Sequence, residues 1–99
     1  MAEALARLWT KFLPDIEQRV TILEVAAQAL AAGSLTNEQR ESAHAAAHKL
    51  AGTLGTFGLH RGTDLARQAE LRFANEDAAS AADLSSWITE LRTLILHRK

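Results

Sequence analysis

The chain has 99 residues, 11 basic and 12 acidic side chains, and no cysteine. This length allows one domain, residues 1–99, and the missing cysteines exclude a disulfide scaffold and thiolate chemistry. The even charge balance argues against a nucleic-acid-binding face. No apolar run resembles a signal peptide or approaches the roughly 20 residues of a membrane span. We therefore expect a cytoplasmic protein without membrane insertion.

The first part of the chain predicts two helices separated by Pro14, the one proline. The missing N–H of a proline costs nothing in the first turn of a helix, so we expect Pro14 to end one helix and begin the next. The first covers about 2–12, and the second continues to about Ala32, before Gly33. Their apolar stripes are Leu5, Leu8, Trp9 and Phe12, and then Ile16, Val20, Leu23, Ala27 and Leu30.

Three more helices are predicted after Gly33. The third begins near one of three N-cap candidates, Ser34, Thr36 or Asn37, and Glu38 strengthens the prediction of a helix start there. It runs to about Phe57. The fourth covers about 60–73, the residues 74–80 form a connection, and the last covers about 81–97. Short connections between amphipathic helices predict antiparallel neighbours. The fold class is therefore all-α: an antiparallel four-helix bundle with an additional short N-terminal helix.

The third helix contains the segment AHAAAHKLAGTLGTFG, residues 43–58. At about 100° per residue, His48 points away from the predicted core face, so we expect an exposed imidazole. The core face comprises Ala43, Ala46, Leu50, Leu54 and Phe57. The stripe around His48 comprises Glu41, His44, Ala45, Ala51, Gly52 and Gly55.

Glycine costs about 1 kcal/mol relative to alanine inside a helix, so Gly52 and Gly55 need a reason. One interpretation is that they let another helix of the bundle pack closely. The other is that they leave a flat approach beside His48, through which a partner brings a reactive group to the imidazole. A neutral imidazole has one free lone pair and is a competent nucleophile for covalent catalysis. Lys49, about 100° round the helix, is a candidate cation for a group bound there.

The segment AHKLAGTLGTFG, with LARQAE downstream, resembles the histidine-containing phosphotransfer (HPt) domain of bacterial phosphorelays. The pattern is a histidine, an apolar residue two positions on, a glycine four positions on, and further small residues and glycines. Many members have lysine three positions after the histidine, where this chain has Ala51, and Lys49 stands directly after His48. A variant of the family with that arrangement does look like this chain.

The resemblance implies a helical bundle whose histidine accepts a phosphoryl group from a receiver-domain aspartate and passes it on. His48 is then the phosphorylation site, and Gly52 permits close docking, with Gly55, His44, Ala45 and Ala51 around it. A polar side chain on the next helix is expected to hydrogen-bond the other imidazole nitrogen, with Glu70 the first candidate and Gln68 the second. Lys49 is the candidate for the supporting cation.

The implied partners are a response-regulator receiver domain, a hybrid sensor kinase, or both. The chain has no phosphate-binding Gly-x-x-x-x-Gly-Lys loop, so we expect a phosphocarrier and not an ATP-using enzyme. No cofactor is expected on the chain itself, and Mg²⁺ is expected on the receiver. We expect the domain to be a monomer.

Two other hypotheses follow from the residues. A purely structural or scaffolding bundle would use the glycines for tight packing and mediate protein–protein interaction. A metal-binding bundle would use His44 and His48 at i, i+4, but Ala45 stands where an H-E-x-x-H helix has its glutamate, and the sequence shows no third ligand. We therefore expect no metal site.

Overall fold

The computed structural model describes residues 2–75 and 80–98. Within these ranges the chain forms α-helices and no strand, which confirms the all-α prediction. The part of the predicted connection at 76–79 lies outside the described residues. The helices are α1 (Ala2–Ala31), α2 (Asn37–Thr56), α3 (His60–Phe73) and α4 (Ala81–Leu96).

Glycines in the left-handed region end α1 and α2. Gly33 has φ +72°, and its N–H donates to the Leu30 carbonyl while the Ser34 N–H donates to the Ala29 carbonyl. These paired bonds satisfy carbonyls that the helix end leaves free. Gly58, with φ +75°, closes α2 in the same way. The sequence predicts helix ends directly before these two glycines.

Thr36 is the N-cap of α2, one of the three predicted candidates. Its hydroxyl accepts a hydrogen bond from the Gln39 N–H at 3.0 Å, and its own N–H donates to Gln39 Oε1 at 2.9 Å. This capping box satisfies two backbone donors of the first turn. Glu38, the residue singled out in the sequence, adds negative charge there, but Gln39 completes the box.

The helices form a ring in which α1 packs on α2 and α4, and α3 packs on the same two helices. Cross-helix contacts show that α3 runs antiparallel to α2: Thr63 bonds near the end of α2 and Glu70 bonds nearer its middle. The four-helix bundle is therefore confirmed. Its core consists entirely of apolar side chains among the described residues, the largest being Phe73, Ile16, Leu23, Leu50, Leu54, Leu65, Leu84, Leu91 and Val20.

The prediction of a separate short N-terminal helix was wrong. Helix α1 continues through Pro14 for 30 residues. Proline in a helix interior removes one backbone bond and costs about 3 kcal/mol, but Pro14 lies on the exposed side of α1. Tertiary packing on both sides offsets this cost: buried Trp9 packs edge-to-face on Phe57, with ring centroids 5.2 Å apart, and Ile16 is fully buried.

The apolar stripe predicted around Trp9 is only partly buried. Trp9 is 6% exposed, and the guanidinium carbon of Arg98 lies over its ring, 4.5 Å from the ring centroid. The remaining members of the stripe are each about two-fifths exposed: Leu5, Leu8 and Phe12. In contrast, the predicted stripe of the second half of α1 is buried as expected, apart from partly exposed Leu30.

Small side chains line the contact between α2 and α3. Ala47 and Ala51 of α2 and Ala66 and Ala69 of α3 are buried. At Gly62 an added Cβ would lie 3.1 Å from Leu54 Cδ1, so a methyl group at this position would require Leu54 to shift by a few tenths of an ångström. Small residues let helix axes approach closely. This close approach brings polar side chains at the outer edge of α3 within reach of α2.

Candidate functional site

His48 lies in the middle of α2 with its side chain 72% exposed, as the helical wheel predicts. Its Nδ1 atom lies 2.8 Å from Oε2 of Glu70 on α3. A carboxylate only accepts hydrogen bonds, so Nδ1 carries the proton of the neutral ring and donates a hydrogen bond to Glu70. The free lone pair is therefore on Nε2, the ring nitrogen that Glu70 does not contact.

Glu70 is the polar partner that the structure brings to His48, and Gln68 is not. Residues two positions apart on an α-helix are separated by about 200° around its axis, so the side chains of Gln68 and Glu70 leave α3 in nearly opposite directions. The Glu70 side chain is 22% exposed, which shields its bond to the imidazole better than a fully solvated position would. The carboxylate orients the ring and selects the tautomer with a free Nε2.

His44 also faces Glu70, with its Nε2 atom 3.8 Å from Oε2. The carboxylate oxygen therefore lies between two imidazoles one turn apart on α2. His44 is 43% exposed and presents its Nε2 to the carboxylate, whereas His48 presents its Nδ1. The two rings are thus not equivalent: only His48 has its Nε2 directed away from Glu70. Sequence analysis placed His44 beside the site but did not predict this shared oxygen.

The glycines beside His48 are not packing positions. A Cβ built on Gly52 would meet no neighbouring group within 4 Å. At Gly55 the nearest group is the Thr63 hydroxyl at 3.5 Å, an ordinary contact. Both residues are exposed, so a flat surface of backbone extends from His48 for two turns towards the end of α2. The close-packing interpretation of these two glycines was therefore wrong, and the close-packing glycine is Gly62.

The exposed surface around His48 is narrower than the predicted docking surface. Ala45 is exposed, but Ala51 is only 4% exposed because α3 covers it, and its carbonyl accepts a hydrogen bond from Thr63 Oγ1 at 3.3 Å. The inclusion of Ala51 in an exposed docking surface was wrong. The helical wheel predicted one buried face of α2. In the structure α2 packs against both α1 and α3, which together bury a wider arc of its surface.

Two basic residues accompany the site. Lys49 is exposed and makes no ion pair within the described residues. Arg67, which sequence analysis did not single out, is also exposed and lies one turn before Glu70 on α3. The signal for it was present in the sequence: Thr63, Arg67 and Glu70 follow the i, i+4, i+7 spacing of one helix face.

Other ion pairs connect helices away from His48. The Arg61 guanidinium on α3 donates from Nε and Nη2 to the two carboxylate oxygens of Glu90 on α4, at 2.6 and 2.9 Å. This hydrogen-bonded pairing lowers the pKa of Glu90 and raises the pKa of Arg61. Arg92 of α4 binds Glu24 of α1 at 2.6 Å. Each pair thus joins α4 to a neighbouring helix, α3 or α1.

Within residues 2–75 and 80–98 no three side chains of the metal-binding types lie where they could hold an ion together. The His44–His48 pair thus gains no third ligand from the described residues. In the same part of the chain, none of the helices combines the length and apolarity needed to cross a bilayer.

A helical bundle that presents an exposed imidazole, oriented by a carboxylate from the next helix, defines a class of domains suited to receiving a group on histidine. A family model described as the Hpt domain matches residues 7–97. The chain belongs to this family, whose members are histidine phosphotransfer domains of phosphorelay signalling and serve as phosphocarriers.

The chain is also similar to Protein RcaC of Microchaete diplosiphon. The two are 42% identical over 62 residues, which cover 63% of this chain and 10% of that protein. The aligned part is thus about a tenth of the relative's length. No solved structure matches the chain significantly.

Proposed function

We propose that His48 is the residue that carries the phosphoryl group, and that it exchanges this group with aspartates of receiver domains. The observation that carries the proposal is the 2.8 Å bond between His48 Nδ1 and Glu70, which directs a lone pair on Nε2 towards solvent. The surface beside the ring, at Gly52 and Gly55, is bare backbone. A second protein can therefore approach Nε2 without displacing a side chain at these two positions.

The transfer requires no proton movement. The Nε2 lone pair attacks the phosphorus of an aspartyl phosphate, and an N–P bond forms as the bond from phosphorus to the aspartate oxygen breaks. The aspartate leaves as a carboxylate with the bonding electron pair. The Nδ1 proton stays in place, so the phosphorylated ring carries a positive charge that faces the Glu70 carboxylate. The reverse sequence delivers the phosphoryl group to another aspartate.

Phosphoryl transfer is mainly positioning and charge neutralisation, and a carrier domain supplies only part of both. In this proposal His48 and Glu70 supply the oriented nucleophile, and the receiver supplies the acidic pocket and Mg²⁺. The chain itself then needs neither a cofactor nor an ATP site. Its partners are a receiver domain, a hybrid sensor kinase, or both. We further propose that the domain acts as a monomer in the cytoplasm.

A labelling experiment tests the assignment of His48. The chain is incubated with phosphoramidate, a small donor that phosphorylates imidazole, and separately with a panel of phosphorylated receiver domains. Wild type and His44→Gln should acquire a label that is stable in base and labile in acid, whereas His48→Gln should acquire none. Because His48 is exposed, its variant should keep the helical circular dichroism and melting temperature of wild type.

Two results would contradict the proposal. One is a histidine-type label on His48→Gln at the wild-type level, which would place the phosphoryl group elsewhere. The other is a folded wild-type protein that no phosphodonor labels, which would favour the scaffolding hypothesis.

A further inference from the structure

We propose that Arg67 of α3 is the positioning residue that binds the phosphoryl group on His48; this inference rests on the function proposed above. The need for a cation follows from the charges. A phosphoryl group brings about −1.5 to −2 charge at neutral pH. It would be attached to the ring whose other nitrogen lies 2.8 Å from the Glu70 carboxylate. The positive charge on the phosphorylated ring offsets one of these negative charges, and a nearby cation would offset part of the remainder.

Helix α2 does not supply that cation on the side of Glu70. On α2, Lys49 is displaced from His48 by about 100° in one direction and Ala51 by about 60° in the other. The Ala51 flank faces α3, as shown by its burial and by the bond from Thr63 to its carbonyl. Lys49 therefore leaves α2 on the flank turned away from α3, whereas the imidazole is bonded towards α3.

Arg67 leaves α3 on the flank turned towards α2. It lies between Thr63, which bonds Ala51, and Glu70, which bonds His48, on one face of α3. Its long side chain is exposed, and this face of α3 lies beside the part of α2 that contains His48. The neighbouring Gly52 presents no side chain and leaves open space, so nothing at that position separates the guanidinium from the approach to Nε2.

Arg67 is also uncommitted in the unphosphorylated protein. It makes no hydrogen bond or ion pair within the described residues, although carboxylates stand three residues away on either side, at Asp64 and Glu70. Glu70 Oε2 already faces the two histidines. A guanidinium offers several donors in a plane that matches two phosphoryl oxygens, so a phosphoryl group on Nε2 would be a better partner than either carboxylate.

The test compares four variants, Arg67→Ala, Arg67→Lys, Lys49→Ala and Lys11→Ala, with phosphoramidate as donor. Lys11 is an exposed basic residue of α1 and serves as the matched charge control. Arg67→Ala should be phosphorylated about fivefold more slowly than wild type, the loss typical of one partly exposed ionic contact. Arg67→Lys should recover part of the rate, because it keeps the charge but not the planar pair of donors. Lys11→Ala should match wild type, and Lys49→Ala should lose less of the rate than Arg67→Ala.

A second readout separates binding of the phosphoryl group from a change in structure. The ³¹P chemical shift of the group on His48, followed against pH, gives the midpoint of its second ionisation. Arg67 favours the dianion, so the midpoint should move to higher pH in Arg67→Ala and stay unchanged in Lys11→Ala. A wild-type rate and a wild-type midpoint in Arg67→Ala would overturn the assignment. So would a slower rate and a higher midpoint in Lys49→Ala than in Arg67→Ala. A folded wild type that is never labelled would remove the proposed function, and this inference with it.

Discussion

His48 and Glu70 are 22 residues apart in sequence and 2.8 Å apart in space, joined from Nδ1 to Oε2 across the groove between α2 and α3. This bond does more than orient the ring. It leaves the proton on the nitrogen that faces the protein and the lone pair on the nitrogen that faces solvent. In the proposed function it also places a negative charge beside the ring that becomes positive on phosphorylation.

We expect Glu70→Ala to remain folded but to accept phosphoryl groups about 10- to 100-fold more slowly, the usual effect of losing the partner that orients a functional histidine. The ring would lose its preferred tautomer and orientation. The measurement is the rate of labelling of His48, together with the ¹⁵N chemical shifts of the two ring nitrogens. Gln68→Ala is the matched control on the same helix. Equal rates for Glu70→Ala and Gln68→Ala would show that the bond has no role in transfer.

Alanine substitutions at two glycines should change stability in opposite directions. Gly52→Ala places a methyl group in open space and should stabilise the protein by up to about 1 kcal/mol through helix propensity. Gly62→Ala places its methyl 3.1 Å from fully buried Leu54 and should destabilise it by on the order of 1 kcal/mol, because overpacking exceeds the propensity gain. Urea unfolding measures both. A stabilising Gly62→Ala would show that Leu54 has room to move.

Gly52→Ala also tests the docking surface. In the proposed function the added methyl lies under an incoming receiver domain but not in the path of a small donor. Transfer from a receiver should therefore slow, whereas labelling by phosphoramidate should stay at the wild-type rate. A parallel fall in both rates would mean that the methyl disturbs the imidazole itself.

Pro14→Ala should stabilise the protein by about 2 kcal/mol. The substitution restores a backbone donor inside α1 and removes the clash of the proline ring, worth about 3 kcal/mol, while the unfolded chain regains up to about 1 kcal/mol of entropy. Thermal unfolding should show a rise of several degrees in Tm. A fall in Tm would indicate that α1 requires the local bend that proline favours.

The Arg61–Glu90 pair should give a pH-dependent contribution of defined sign. The bond from Arg61 lowers the pKa of Glu90 below its value in the unfolded chain, so the stabilisation is fully present above the unfolded pKa and is lost as pH falls through the folded pKa. Glu90→Gln should therefore melt below wild type at pH 7 and converge with it in acid. The difference should be small and sensitive to salt, since both groups are exposed. Asp15→Asn, an exposed substitution on α1, is the control: its difference in Tm from wild type should not shrink between pH 7 and acid.

The sequence alone predicted the helices after Gly33, the helix ends before Gly33 and Gly58, and the exposure of His48 beside Gly52. These features are local: they depend on the spacing of apolar residues along one helix and on backbone conformations that glycine adopts at low cost. The tertiary structure decided the rest. It selected Glu70 over Gln68, buried Ala51 and carried α1 through Pro14, because each of these outcomes depends on which neighbouring helix lies against the position, and no spacing within a single helix contains that information.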